Sequence, residues 1–333
     1  MNLTRSAGPA VVGATLLLAI TACSPGTGPD DPGAADSVTI GIAEIVSIPP
    51  IDDNVAAFKE ELATLGYVEG ENVTYVEQNA QGQAASFSLV TNQIVQEDPD
   101  LIYSLGTPLI ISVAQAAGDT PQLFGIMTDP VSAGVLDDVE APGGNITGTS
   151  DYIAAGIYFD AFQDLFPDAT TIGFLGNPAE PNTQSTLDEF EAEAASRGLE
   201  LVFAPVADSA KIQLAMESLR GKVDVLTFTA DNTVSSALES VVKQATAMGL
   251  PVIASQTDSA TLGGLAGIGL DWAEAGRESA RQAAAILDGD KAPGDIPVWY
   301  PSTDGVEIAV NPDVAAQFGV DADSLGDAYT VIE

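Results

Sequence analysis

Short apolar runs alternate with amphipathic stretches along most of the chain. Residues 38–46, VTIGIAEIV, suit a buried strand. In the stretch that follows, Val55, Phe58, Leu62 and Leu65 recur at helical spacing before Gly66, a C-capping residue. Residues 72–79 carry a second strand pattern, and Phe87, Val90 and Ile94 mark a helix ended by Asp98-Pro99. Two further apolar strands, 100–106 and 121–127, flank a helix over 108–117, and 145–150 is the last extended piece of this half. The rhythm restarts with a strand at 170–177, a helix at 183–197, a strand at 199–206 and a helix at 209–219. A strand at 223–231, a helix at 233–248 and a strand at 250–255 follow. Strands alternating with helices in this way predict parallel βαβ units. Two such runs in series predict an α/β fold of two doubly wound parallel-sheet lobes. The remainder, GGLAGIGLD, a helix over 272–287, IPVWY, a short strand at 306–310 and a tail helix at 314–318, reads as the chain crossing between lobes again.

The amino-terminal segment has a different pattern. An apolar run over 10–20, preceded by Arg5, has secretory-signal length and is shorter than the about 20 residues a membrane span needs. It ends in Ile20-Thr21-Ala22-Cys23, which resembles a bacterial lipobox, in which the cysteine is lipidated and becomes the first mature residue. A plain signal peptide with an incidental cysteine is the alternative. The Pro-, Gly-, Ser- and Asp-rich stretch after it cannot bury enough apolar surface to fold and reads as a tether. The expected organisation is a signal peptide over 1–22, a tether over 23–37, a first lobe from 38–148 and 271–294, and a second from 149–270 and 295–333. The product is expected to be exported and lipid-anchored at the outer face of a bacterial cytoplasmic membrane.

Composition narrows the chemistry. Apolar residues make up 46% of the chain, yet 48 acidic residues stand against 10 basic ones, for a formal charge of −38. Nucleic acid is excluded as a partner, because phosphate contacts need Lys and Arg clusters. Anionic lipid would repel the surface, so membrane association is expected only through the lipid. Such a charge suits a saline environment, where it is screened. There is no histidine, which removes Ser-His-Asp and Cys-His nucleophiles and every histidine metal set. Cys23, the one cysteine, belongs to the leader junction, so no thiolate metal site, no metal and no cofactor are expected. GLAGIG at 264–269 has the wrong spacing and context for a dinucleotide loop. Paired carboxylates leave acid–base catalysis formally open.

Small polar residues gather at the carboxyl ends of the predicted strands. They are Glu44 and Ser47, Gly106-Thr107-Pro108 and Thr128-Asp129-Pro130 in the first half. The second half has Asn177-Pro178-Ala179-Glu180, Asp231-Asn232 and Ser255-Gln256. Free N–H groups at helix starts can hold a carboxylate, and a cleft-facing Asp or Glu can hold an ammonium group, so the set suits a zwitterion. Capping and turn formation are the alternative role for each of them.

The stretch DPVSAGVLDDVEAPGGNITGTSDY, 129–152, resembles the DPV-x-AG…PG-GN-x-TG segment of the TrpX-like substrate-binding lipoproteins of ABC transporters. Other matching pieces follow in order: Gly66-Tyr67 with Gly70 and Asn72-Val73; Asn79 to Gly82; Asn177-Pro178 with Glu180 and Asn182; Val223-Asp224; Asp231-Asn232; Asp271 with Gly276-Arg277; and Phe318-Gly319-Val320. The likeness spans about 38–323. It implies a type I periplasmic-binding-protein fold with a three-crossing hinge. The implied function is a non-enzymatic receptor, a monomer, that binds a small zwitterionic solute between the lobes and delivers it to permease subunits and their ATPase. An aromatic or branched amino acid is the implied solute. Mapped onto this chain, Ser47, Thr107, Asp129, Asn177, Asp231, Asn232, Ser255 and Asp271 become the pocket residues. Ser47 and the 106–108 turn would take the carboxylate, and Asp271 or Asp231 the ammonium. Tyr103, Tyr152 and Phe228 are candidate pocket wall, with core packing as their alternative. The family's His-Pro after the first strand is replaced here by Ser47-Ile48-Pro49-Pro50. A ligand sensor feeding a signalling partner, a carboxylate-based cleft enzyme and a structural lipoprotein are the competing functions.

Overall fold

The computed structural model describes residues 37–332, so the expected leader, Cys23 and nearly all of the expected tether lie outside the described residues. Lobe 1 is built from β1 (Val38–Glu44), α1 (Pro49–Thr64), β2 (Val73–Asn79), α2 (Phe87–Gln96), β3 (Leu101–Leu105), α3 (Thr107–Ala116), β4 (Gln122–Gly125) and β5 (Ile146–Gly148). Its sheet has the order β2-β1-β3-β4-β5 and is parallel throughout. Lobe 2 follows with α4 (Ala155–Leu165), β6 (Thr171–Gly176), α5 (Pro181–Arg197), β7 (Glu200–Pro205), α6 (Ile212–Leu219) and β8 (Val225–Phe228). Next come α7 (Asn232–Ser235), α8 (Leu238–Met248), β9 (Val252–Ala254), α9 (Asp258–Thr261) and β10 (Ala266–Gly269). The chain then returns to lobe 1 as α10 (Trp272–Leu287) and re-enters lobe 2 as β11 (Glu307–Val310), α11 (Pro312–Gln317) and β12 (Tyr329–Val331). The second sheet runs β12-β11-β10-β9-β8-β6-β7, with β10 and β11 its antiparallel pair.

Each lobe closes around its own core. In lobe 1, Ile40, Ile42, Phe58, Leu62, Ile94 and Leu105 are buried together with the small residues Ala275, Ala280 and Ala283 of α10. The small face brings α10 onto α1 so closely that a Cβ at Gly276 would stand 2.2 Å from the Asn54 carbonyl oxygen, so only glycine fits. In lobe 2, Phe159, Phe162, Phe174 and Phe190 pack edge to face on one side of the sheet, and Leu226, Phe228 and Val241 fill the other. Two expected elements differ. The helix expected over 233–248 is interrupted before α8, where Ala237 leaves helical geometry with φ −124° and ψ 23°. The glycine-rich 264–269 stretch ends in β10, a buried interior strand.

The chain passes between the lobes three times: after β5, between β10 and α10, and after Trp299. Trp299 N–H donates to the Gly148 carbonyl and Ser150 N–H donates to that of Trp299, so the first and third passages run side by side. Gly143 N–H donates to the Gly294 carbonyl and Val298 N–H to that of Val139. The expected second-lobe boundary at 295 therefore falls within a segment bonded to lobe 1. A buried polar relay underlies the passages. Asn54 Nδ2 donates to the Trp272 carbonyl (3.2 Å), Tyr103 OH donates to Asn54 Oδ1, and Tyr103 OH also reaches Ser279 Oγ (3.2 Å). Ser279 in turn shares a hydrogen bond with Thr149 (3.1 Å).

Candidate functional site

The carboxyl ends of both sheets face one another across a partly open cavity holding about 450 Å³ of empty space, its solvent-open mouth included. Lobe 1 contributes Ile48, Pro50 and Ile51 from the start of α1, Gly106 and Thr107 from the start of α3, Ile126 and Thr128 after β4, and Trp272 from the start of α10. Asp151 comes from the first passage. Lobe 2 contributes Asn182 from α5, Ala230, Asp231, Asn232 and Ser235 around α7, and Ser255-Gln256 after β9. The lining holds no lysine or arginine. The local backbone explains the lobe 1 edge. Gly106 adopts φ +92° where a Cβ would collide with Ile45, and it opens α3 without a side-chain cap, leaving its first turn directed at the cavity.

Two of the three nearby acids are spent on holding the wall. Asp231, fully buried, accepts from Asn177 N–H (2.5 Å), Thr183 Oγ1 (2.6 Å) and, as the N-cap of α7, Val234 N–H (2.7 Å). Its carboxyl is pushed up by burial and then by the Glu180 charge, against the pull of those donors. Glu180 accepts from the N–H and side chain of Asn232 (3.0 and 2.7 Å) and of Thr233 (3.1 and 2.7 Å). Asp151 differs. It is 8% exposed, its Oδ1 has no partner, and burial raises its pKa to about 7, the Thr128 side chain and its own backbone only partly offsetting this. Asn182 Oδ1 and Ser255 Oγ, from the opposite lobe, are likewise buried without partners. Unpaired buried polar atoms are costly, about 1–3 kcal/mol each, and these three leave the cavity able to accept N–H or O–H donors.

Of the sequence-derived candidates, Thr107, Asp231, Asn232 and Ser255 line this cavity. The others are placed elsewhere. Ser47 is exposed and donates to both oxygens of Asp52 (3.0 and 2.9 Å). Asn177 faces an adjoining cleft between the lobes and donates through its Nδ2 to Thr233 (2.9 Å). Asp271 N-caps α10 through Glu274 N–H (2.9 Å) and pairs with Arg277 (3.2 Å), its side chain 63% exposed, so it is no desolvated partner for an ammonium group. Asp129 and Tyr152 lie in a neighbouring depression with Ser185, Glu189 and Tyr300. Tyr103 and Phe228 are fully buried: Tyr103 stacks on Phe58 within the hinge relay, and Phe228 packs in the lobe 2 core. Capping and core packing, the alternatives open from sequence, account for Asp271, Tyr103 and Phe228. Sequence reasoning missed Asp151, Trp272, and the apolar wall of Ile48, Pro50 and Ile51. Asn182, within a segment of the family resemblance, and Gln256, at a strand end, line the cavity as well. What the sequence offered was position alone: Asp151 lies three residues beyond the end of β5, and Trp272 opens a helix at a lobe passage.

Among the described residues no helix is long and apolar enough to cross a membrane. The model of the family described as ABC transporter substrate binding protein matches residues 39–325. The tyrosine-binding protein of Clostridioides difficile strain R20291 is 34% identical over 274 residues, 82% of this chain and 79% of the relative. A crystal structure of an ABC domain from Streptococcus pneumoniae in complex with L-Trp superposes with a TM-score of 0.81 at 28% identity, covering 85% of this chain and 95% of the other. The ligand-free, open structure of a substrate binding protein with adhesive properties from Clostridium difficile gives 0.67 at 30% identity, covering 89% and 99%. With a cavity between the lobes and a family match over nearly all of the described body, the chain belongs to the ABC transporter substrate-binding proteins of the type I periplasmic-binding-protein class, solute receptors rather than enzymes.

Proposed function

We propose that this protein binds an aromatic α-amino acid and delivers it to the permease of an ABC importer. The observation that carries the reading is the set of unpartnered acceptors, Asp151 Oδ1, Asn182 Oδ1 and Ser255 Oγ, on a cavity without a cationic side chain. An ammonium group supplies up to three donors and one positive charge to such a set. The ligand carboxylate is received without a cation by the Thr107 hydroxyl and the open first turn of α3. Trp272, Ile48, Pro50, Ile51 and Ile126 form the apolar wall for the side chain. The tyrosine-binding relative and the relative in complex with L-Trp support an aromatic side chain. The receptor acts as a monomer, exported and held at the membrane through a lipid on Cys23, with 23–37 as its tether.

Thermal denaturation tests this directly. L-Tyrosine, L-tryptophan or L-phenylalanine is expected to raise the melting temperature, a ligand at 100 times its Kd adding about 2.7 kcal/mol. Tyramine, which lacks the carboxylate, and 3-phenylpropionate, which lacks the amine, are expected to have little effect. Stabilisation by sugars or nucleosides with no response to any amino acid would overturn the reading.

A further inference from the structure

The lobes also meet away from the cavity. Among the described residues, one side-chain hydrogen bond runs directly between the bodies of the two lobes: Ser185 Oγ on α5 donates to Asp129 Oδ2 across 2.7 Å. The ion pairs of the described residues, by contrast, each lie within a single lobe. Asp129 is held ready for this bond. Its Oδ1 takes the Ser132 N–H at 2.9 Å, which fixes the carboxylate to the lobe 1 backbone and leaves Oδ2 to α5. Burial would raise its pKa, but bonds from Ser132 and Ser185 hold it below the ordinary value, so it meets Ser185 as an anion.

Helix α5 couples this contact to the ligand. Asn182, Ser185 and Glu189 stand at i, i+3 and i+7, on one helix face. Asn182 lines the cavity, Ser185 reaches Asp129, and Glu189 accepts from the Tyr152 hydroxyl in the first passage. One rigid helix therefore carries a cavity wall, an interlobe bond and a contact to the hinge, and swinging α5 away would release all three together. Asp129 and Ser185 are absent from the cavity lining.

We infer that Ser185 and Asp129 form a closure latch, a pair of positioning residues that touch no ligand and hold the lobes shut around it. The inference rests on the proposed amino-acid ligand only for the choice of probe. Full-length S185A is expected to bind L-tyrosine or L-tryptophan on the order of tenfold more weakly than the unsubstituted protein, through faster dissociation. Its ligand-free melting temperature is expected to be unchanged, since alanine favours the helix, and S185T should recover affinity. Equal affinity and dissociation rate for S185A would overturn the latch. If the unsubstituted protein binds neither amino acid, that overturns the ligand reading, and the latch is read without ligand. In a C23A background, D129C and S185C together are expected to join through a short bismaleimide into an intramolecular cross-link. Failure to form it in the folded protein would overturn the latch.

Discussion

Burial raises the Asp151 pKa to about 7, and a bound ammonium group would favour the ionised form. Below that pH the ligand must displace a proton, so affinity for an amino acid is expected to fall about tenfold per unit. Calorimetry at pH 6 and pH 8 reads this directly. D151N is expected to lose about 2–5 kcal/mol of binding and to flatten the pH dependence. Retained affinity would transfer the ammonium to another group. The sign for stability is the reverse. A raised pKa in the folded state stabilises the fold below the ordinary carboxyl value, and that contribution disappears as pH rises through about 7. Glu44, raised to about 7 by burial and then by Asp52 and Glu77, acts in the same direction. Choosing Asp151 among 48 acids was beyond sequence reading, because what distinguishes it is lost solvent and a missing partner. Asp231 and Asp271 carried the stronger local signal, an acid before a helix, and that signal proved to be capping.

The passages between lobes depend on elements brought together from distant parts of the chain. Tyr103 on β3, Asn54 on α1 and Ser279 on α10 join the Trp272 carbonyl at one passage to Thr149 at another. Y103F keeps the stacked ring but strands buried Asn54 and Ser279 groups, so a loss of about 1–3 kcal/mol is expected in urea denaturation. A change below about 0.5 kcal/mol would show that the relay contributes nothing to stability. Most strands and helices were legible from apolar periodicity, because each element buries one continuous face. The break before α8 and the strand identity of 266–269 were not, and α4 and β12 carried no expectation at all. Helical periodicity continues across the first, and the second is a glycine-rich run whose strand geometry comes from neighbours on both sides.

Across the whole molecule, the −38 charge leaves most carboxylates without a cation. Arg197, Arg220, Arg277 and Arg281 are already committed to ion pairs, several of them shared. Residual repulsion is screened over about 10 Å at 0.1 M salt and over less at higher ionic strength. The melting temperature is therefore expected to rise from low to molar sodium chloride, and a flat curve would count against charge repulsion as a limit on stability. The family and the two-lobe architecture were legible from the chain, through periodic burial and the 129–152 segment.

Periodicity and local motifs establish most of the stretches that become strands and helices and that two largely parallel sheets form, since those outcomes depend on neighbours a few residues away; the antiparallel β10–β11 pair was not among them. The ligand site does not depend on such neighbours. Asp151, Asn182 and Trp272 meet because three chain passages set one sheet edge against another, and their chemistry comes from shared burial. The same apposition gives Asp129 a partner in Ser185, 56 residues further along, and so a role that its place in a local motif did not express.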